Sequence, residues 1–155
     1  MIKNEFESFY ILIKEFDMQL PNGELVLRTL AMPADTNANG DIFGGWLMSQ
    51  MDIGGAILAK EIALGRVVTV AVNGIKFQKP VAVGDVVCCY ARCLKTGKSS
   101  ITINIEVWVK KVATEPVGHR YRATDAVFTY VAVNDDNTPR ELPKEKQHFQ
   151  LESTE

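Results

Sequence analysis

The stretch from Gly44 to Leu64 constrains this chain more than any other. Trp46, Leu47, Met48, Met51, Ile53, Ile57, Leu58, Ile62 and Leu64 leave it hardly any polar face. After Asp52, charge returns only at Lys60 and Glu61. A helix apolar nearly all round belongs in an interior, so the pattern predicts one long buried helix. Gly44, Gly45, Gly54 and Gly55 each cost about 1 kcal/mol relative to alanine inside a helix. That cost predicts another backbone lying close against it.

Beyond the helix the period changes to two. "RVVTVAV" (66–72) is apolar on both faces, which predicts a central strand. "IKFQKPVAVGD" (75–85) reads as a short strand, a break at Pro80 and a Gly84-Asp85 turn. "VVCCYARCLKTG" (86–97) is a long strand. In "SSITINIEVWVKKV" (99–112), Ile101, Ile103, Ile105, Val107 and Val109 face one way. Thr102, Asn104, Glu106, Trp108 and Lys110 face the other, as on a sheet covered on one side. "ATDAVFTYVAV" (123–133) is a further long strand, and "ELVLRTLAM" (24–32), stopped by Pro33, precedes the helix.

One buried helix and several long strands without crossover helices predict an α+β fold, a strongly curved antiparallel sheet wrapped around the helix. Residues 1–22 read as a variable extension ending at the Asn22-Gly23 turn. Residues 23–140 form a single domain, and 141–155 a polar tail expected to be loose.

A net charge of −2 without a basic face argues against nucleic acid as a partner. No run reaches the ~18 apolar residues of a membrane span. "FYILI" (9–13) is too short and too acid-flanked for an export signal, so a cytoplasmic location is expected. Cys88 and Cys89 point to opposite faces of one strand and are poorly placed to pair. With Cys93 they are expected to be buried, reduced thiols.

The turn "TNANGD" delivers Asp41 to the helix N-terminus, where free N–H groups and the helix dipole favour negative charge. Asp41 reads either as a cap or turn residue, or as a carboxylate acting on an electrophile held there. Gly44 and Gly45 lack side chains, so their N–H groups can face a developing oxyanion. Asp52 lies roughly 10 Å further along the helix, as a structural partner or a second carboxylate. Asn37 and Asn39 read as turn formers or as groups positioning water or carbonyl. Asn73 ends its strand and is a further positioning candidate.

"NANGDIFGGWLMSQMD", "VVTVAV", the spaced residues of "FQKPVAVGDVV" and "GKSSITINIEVWV" occur in order. This set resembles the hotdog-fold acyl-CoA thioesterases, in particular the YciA-like branch, over residues 24–140. The resemblance implies a hotdog fold and hydrolysis of acyl-CoA to free acid and coenzyme A. It implies Asp41 as the catalytic carboxylate, general base or nucleophile, and dimers assembled as a trimer of dimers, a hexamer. No metal ion or redox cofactor is expected, coenzyme A being part of the substrate. The chain departs from close relatives at Leu64, where a histidine is common.

The phosphates of coenzyme A call for basic groups. Candidates are Lys98 with Ser99 and Ser100, Lys110 with Lys111, and Arg66. Trp46 is a core or acyl-pocket residue, and Trp108, on a polar strand face, suggests a subunit contact. A hotdog dehydratase would need an active-site histidine, and His119 and His148 lie far along the chain from the helix. A non-catalytic acyl-CoA binding or sensing protein is the alternative that keeps a pocket without needing Asp41. No "GxSxG" points to serine chemistry.

Overall fold

Strand β4 (Ser100–Lys110) runs through the centre of a five-stranded sheet in a computed structural model that describes residues 20–144, with Glu5 and Glu7 before them. It pairs antiparallel with β3 (Val86–Thr96) on one side and β5 (Arg120–Ala132) on the other. β1 (Glu24–Leu30) pairs outside β3, and β2 (Val67–Asn73) outside β5, giving the order β1-β3-β4-β5-β2. The helix α1 (Gly44–Ala63) packs on one face of this sheet. This is the α+β arrangement expected.

The core forms where the two periods meet. Ile101, Ile103 and Ile105 of β4 are fully buried with Leu47, Met51, Ala59 and Ala63 of α1. A Cβ at Gly55 would run into the side chains of Ile105 and Tyr130, and one at Gly54 into Val26. The glycines admit side chains of the sheet, where an approaching backbone was expected. Tyr130 donates its hydroxyl to the carbonyl of Asp52 at 3.0 Å. Burial, followed by the nearby Asp52, raises the pKa of that phenol well above its ordinary value.

Several expectations are corrected. β2 is an edge strand, although "VVTVAV" is apolar on both faces; Val70 is 54% exposed. The helix is buried on one side only, and Ile53, at 51% exposure, and Ile57 face outward. Apolar residues at such places mark surface that a second chain can cover.

Residues 75–79 form no strand. Gly74, at φ 73°, turns the chain out of the ladder. The segment then runs beside β5, which holds it largely by side chains. Thr124 Oγ1 donates to the Lys76 carbonyl at 2.6 Å and the Tyr121 hydroxyl to the Pro80 carbonyl at 2.7 Å. One backbone bond joins them, Gln78 N–H to the Ala123 carbonyl at 3.2 Å.

Trp108 is no exposed contact residue: it is 6% exposed, and its indole N–H donates to Glu106 at 2.9 Å. Glu106 also accepts from the Asn22 N–H and pairs with Arg122. Cys88 and Cys89 are buried free thiols as expected, whereas Cys93 is exposed, where β3 bulges between Cys93 and Lys95. The start of the tail is tied down. Arg140 donates to the Ala63 and Val133 carbonyls, and the Leu142 N–H to Lys98. Most of 1–22 and of 141–155 lies outside the described residues.

Candidate active site

The loop before α1 is built around one side chain. Asn37 Oδ1 accepts the N–H groups of Asn39 at 2.9 Å and of Asp41 at 3.2 Å. The Asn37 N–H returns to the Asp41 carbonyl at 2.7 Å, and Gly40, at φ 82°, makes the tight reversal. Ile42 anchors the far side by burying its side chain and bonding the Val81 carbonyl. The amide oxygen of Asn37 is therefore engaged in shaping the loop, and Asn39 is exposed.

The cap of α1 is Phe43, and no side chain caps the helix. Asp41 is thus a turn residue through its backbone and not a helix cap. Its carboxyl makes no hydrogen bond among the described residues. The Trp46 N–H bonds the Phe43 carbonyl, while those of Gly44 and Gly45 have no partner among the described residues. The Phe77 ring lies over Gly44, so close that a Cβ there would come within 2.8 Å of it. An unpartnered carboxyl and two free N–H groups at one helix mouth are the parts an acyl-transfer site needs.

Gly40 and Asp41 border a pocket of about 470 Å³ whose other walls are the segment Lys79–Val83, Lys111, His119 and Tyr121. The Tyr121 ring stacks on His119, with centroids 6.0 Å apart, and the Lys79 ammonium sits 5.4 Å from its centre. Burial, then the negative charge of Asp85, raises the Tyr121 pKa. Asp85 itself lies in the pocket wall at 1% exposure, and neither of its carboxyl oxygens has a hydrogen-bond partner among the described residues.

Of the residues singled out by sequence, the chain brings Asp41, Gly44 and Gly45 to the helix mouth and Lys111 to the adjoining pocket. Lys110 stands exposed at the end of β4. Lys98, Ser99 and Ser100 sit at the opposite end of that strand, about 33 Å away at 3.3 Å per residue. There Lys98 pairs with Glu141 at 3.3 Å. Arg66 lies at that same end, donating to the Asp135 carbonyl at 3.0 Å. Asp52 accepts the Thr69 hydroxyl, and Asn73 is exposed at the end of β2. Among the described residues no cluster of three His, Cys, Asp or Glu side chains could hold a metal ion.

Sequence reading missed Lys79, Asp85 and Tyr121, and set His119 aside for its distance along the chain. Folding cancels that distance: the return of β5 against β4 bonds the Lys111 N–H to the His119 carbonyl at 2.9 Å, and both residues line the pocket that Asp41 borders. The "VGD" motif was the available signal for Asp85, read as a turn and as part of the family resemblance, without a role for its carboxyl.

Residues 39–115 match the thioesterase superfamily. The acyl-CoA thioester hydrolase YciA of Salmonella typhimurium is 80% identical over 123 residues, 79% of this chain and 92% of that protein. The crystal structure of a hexameric thioesterase from Yersinia pestis is 84% identical. It covers 81% of this chain and all of its own, with a TM-score of 0.78. A hexameric broad specificity acyl-coenzyme A thioesterase superposes with a TM-score of 0.80 at 69% identity, over 82% of this chain and 86% of its own.

Proposed function

Since the chain belongs to the hotdog-fold acyl-CoA thioester hydrolases of the YciA type, we propose that Asp41 is the carboxylate that performs the hydrolysis. The overall reaction consumes water and an acyl-CoA thioester and releases a carboxylic acid and the thiol of coenzyme A. The observation that carries the assignment is the helix mouth: a carboxyl at the N-terminal end of the helix that begins with Gly44 and Gly45, with neither the carboxyl nor those two N–H groups partnered among the described residues.

A thioester oxygen set against those two N–H groups gains stabilisation as it becomes an oxyanion. Asp41 then takes a proton from the attacking water, or attacks the carbonyl itself to form a mixed anhydride that water opens. Both routes draw only on water, a carboxylate and backbone donors, and we propose that no metal ion or redox cofactor takes part. Asn39 and Asn73 are proposed to orient water or carbonyl, with Asn37 acting through the loop it shapes and Asp52 through its contact with β2. Lys111 and Lys110 are the proposed phosphate contacts at this end of the chain. Lys98, Ser99, Ser100 and Arg66 would serve a site only where the far end of another copy approaches.

The homo-oligomer is proposed to be a trimer of dimers, supported by the hexameric relatives and by the apolar residues Val70, Ile53 and Ile57 left open on β2 and α1. Light scattering should return six copies. A cytoplasmic location is proposed, supported by three free cysteines.

The direct test is thiol release from a panel of acyl-CoAs by wild type and Asp41→Ala. A loss of about 100-fold or more in kcat, with folding and coenzyme A binding retained, is the expected result. Unchanged turnover would move the carboxylate elsewhere. A single turnover in H₂¹⁸O that leaves the label in Asp41 establishes the anhydride route with water opening the anhydride at the Asp41 carbonyl, since the general-base route labels the product acid alone.

A further inference from the structure

Two half-exposed phenyl rings stand at the mouth of α1, Phe43 at 42% and Phe77 at 50% exposure, and the hydrolysis itself calls on neither. Cζ and both Cε atoms of Phe77 lie within 3.3 Å of where a Cβ of Gly44 would stand. The Phe43 ring comes as close as 3.1 Å to the same point on Gly45. Each of the two glycines whose N–H groups are unpartnered among the described residues thus carries a ring in the space a side chain would take. Phe77 meets Gly44 with the tip of its ring, which at half exposure leaves ring surface open to another apolar group.

The position of Phe77 is built. Its segment forms no strand, yet the residue on either side of it is fastened to β5. Thr124 Oγ1 donates to the Lys76 carbonyl at 2.6 Å, and the Gln78 N–H to the Ala123 carbonyl at 3.2 Å. Thr124 is fully buried, and its hydroxyl spends its single proton on that bond. A backbone held at 76 and 78 sets the residue between them, so a ligand that packs on the ring has little ordering left to impose.

The chemistry of the site decides what packs there. A thioester carbon carries its oxygen, its sulfur and its acyl chain in three directions. With the oxygen against the Gly44 and Gly45 N–H groups, one remaining direction takes the coenzyme arm and the other the acyl chain. The pocket beside Asp41 bears Lys79, Lys111 and His119, which suit the anionic arm, and neither ring lines that pocket. The two phenyls offer only carbon, and a hydrocarbon chain is what gains by covering them.

We propose that Phe77, together with Phe43, grips the first methylenes of the acyl chain, so that the enzyme gains affinity as the chain lengthens past acetyl. This rests on the placement of the thioester at Asp41 and the helix mouth. Phe77 is a binding residue with no part in the bond-breaking step. Thr124 is a positioning residue that acts on the ring through Lys76.

The test is thiol release from acetyl-, butanoyl- and hexanoyl-CoA by wild type, Phe77→Ala and Phe77→Leu. A methylene moved from water to an apolar surface is worth up to about fourfold in binding, and the ring covers its few from one side only. Phe77→Ala should leave kcat/KM for acetyl-CoA within about twofold and lower that for hexanoyl-CoA about tenfold, mainly through KM. Phe77→Leu, which keeps apolar surface, should lose less than about threefold on hexanoyl-CoA. Thr124→Val, with the whole ring still present, should show a loss that grows with chain length, and Thr124→Ser, which keeps the hydroxyl, should behave as wild type. Equal losses on acetyl- and hexanoyl-CoA, or no loss on either, would overturn the proposal. So would a fall in the oligomer mass of Phe77→Ala, which would assign the ring to a subunit contact. Asp41→Ala, run on the same three substrates, tests the placement of the thioester. It should lose turnover of all three alike, and retained turnover would remove the thioester from the helix mouth and the proposal with it. A flat response to Phe77→Ala beside an inactive Asp41→Ala would overturn the acyl assignment alone.

Discussion

The hydroxyl of Thr69 donates to Oδ1 of Asp52 at 2.6 Å, joining edge strand β2 to helix α1. This bond explains a carboxyl in the middle of an apolar helix. Asp52 also offers its backbone carbonyl to Tyr130, so one residue ties α1 to two strands. It is supplied with structural partners, in contrast to Asp41, whose carboxyl has none among the described residues. The two aspartates of the "GDIFGGWLMSQMD" stretch are thereby sorted by their contacts.

Thr69→Val and Asp52→Asn should each lower stability by about 1 kcal/mol, and the double variant by less than the sum, since both break one bond. Turnover should stay within a few fold of wild type. Urea unfolding at fixed protein concentration measures the coupling, and a large selective loss of kcat in Asp52→Asn would promote that residue to the chemistry.

Gly44→Ala places a methyl within 2.8 Å of the Phe77 ring. The ring is half exposed and can give way, so stability should change by no more than about 0.5 kcal/mol. The methyl and displaced ring would crowd the N–H groups proposed to face the oxyanion, and kcat/KM should then fall about tenfold. Adding Phe77→Ala should recover part of that loss, which steady-state kinetics would show.

Gly55→Ala tests the core. A Cβ there meets Ile105 and Tyr130, both fully buried, and neither has room to retreat. Overpacking should cost about 1–3 kcal/mol, more than the ~1 kcal/mol gained in helix propensity. A lower melting temperature is expected, whereas helix propensity acting alone would raise it.

Burial pushes the Cys89 thiol up from 9.0 to about 12. The folded chain therefore holds a proton that the unfolded chain gives up above pH 9. Stability from this group is complete below pH 9 and declines as pH rises toward 12, by up to about 1.4 kcal/mol per unit. Urea midpoints between pH 8 and 11 should fall less steeply in Cys89→Ala. At pH 8, iodoacetamide should modify Cys93 rapidly and the other two thiols slowly, as judged by mass spectrometry.

Much of the fold was legible because its signals are local. A 3.6-residue apolar pattern marked α1 to within one residue, and the alternation of "SITINIEVWVK" marked β4. The order of strands was not legible: "VVTVAV" carries the apolar signature of a central strand but lies at the edge. Apolar character reports burial in the finished assembly, whereas strand order is a property of one chain. The failures at Trp108 and His119 share another cause. Glu106 covers the polar end of the indole and β5 folds His119 back onto Lys111; these partners lie only two and eight residues apart, but a side-chain orientation and a strand reversal bring them together, and residue periodicity reports neither. The candidate site was legible at Asp41, Gly44 and Gly45, which lie within five residues, and hidden at Lys79, Asp85 and Tyr121, which are assembled from separate segments.

The guanidinium of Arg140 on the carbonyl of Ala63 also sets a schedule. The last turn of α1 waits for a partner 77 residues later in the chain. At roughly 5–20 residues per second of synthesis, that wait is about 4–15 s. Strands β4 and β5, which cover the apolar face of α1, also emerge only in that interval. A nascent chain therefore carries its most water-averse segment uncovered for seconds, far longer than a helix needs to form. Ribosome-associated chaperones should meet this protein early, and a chain halted before Arg140 should be recognised as unfinished.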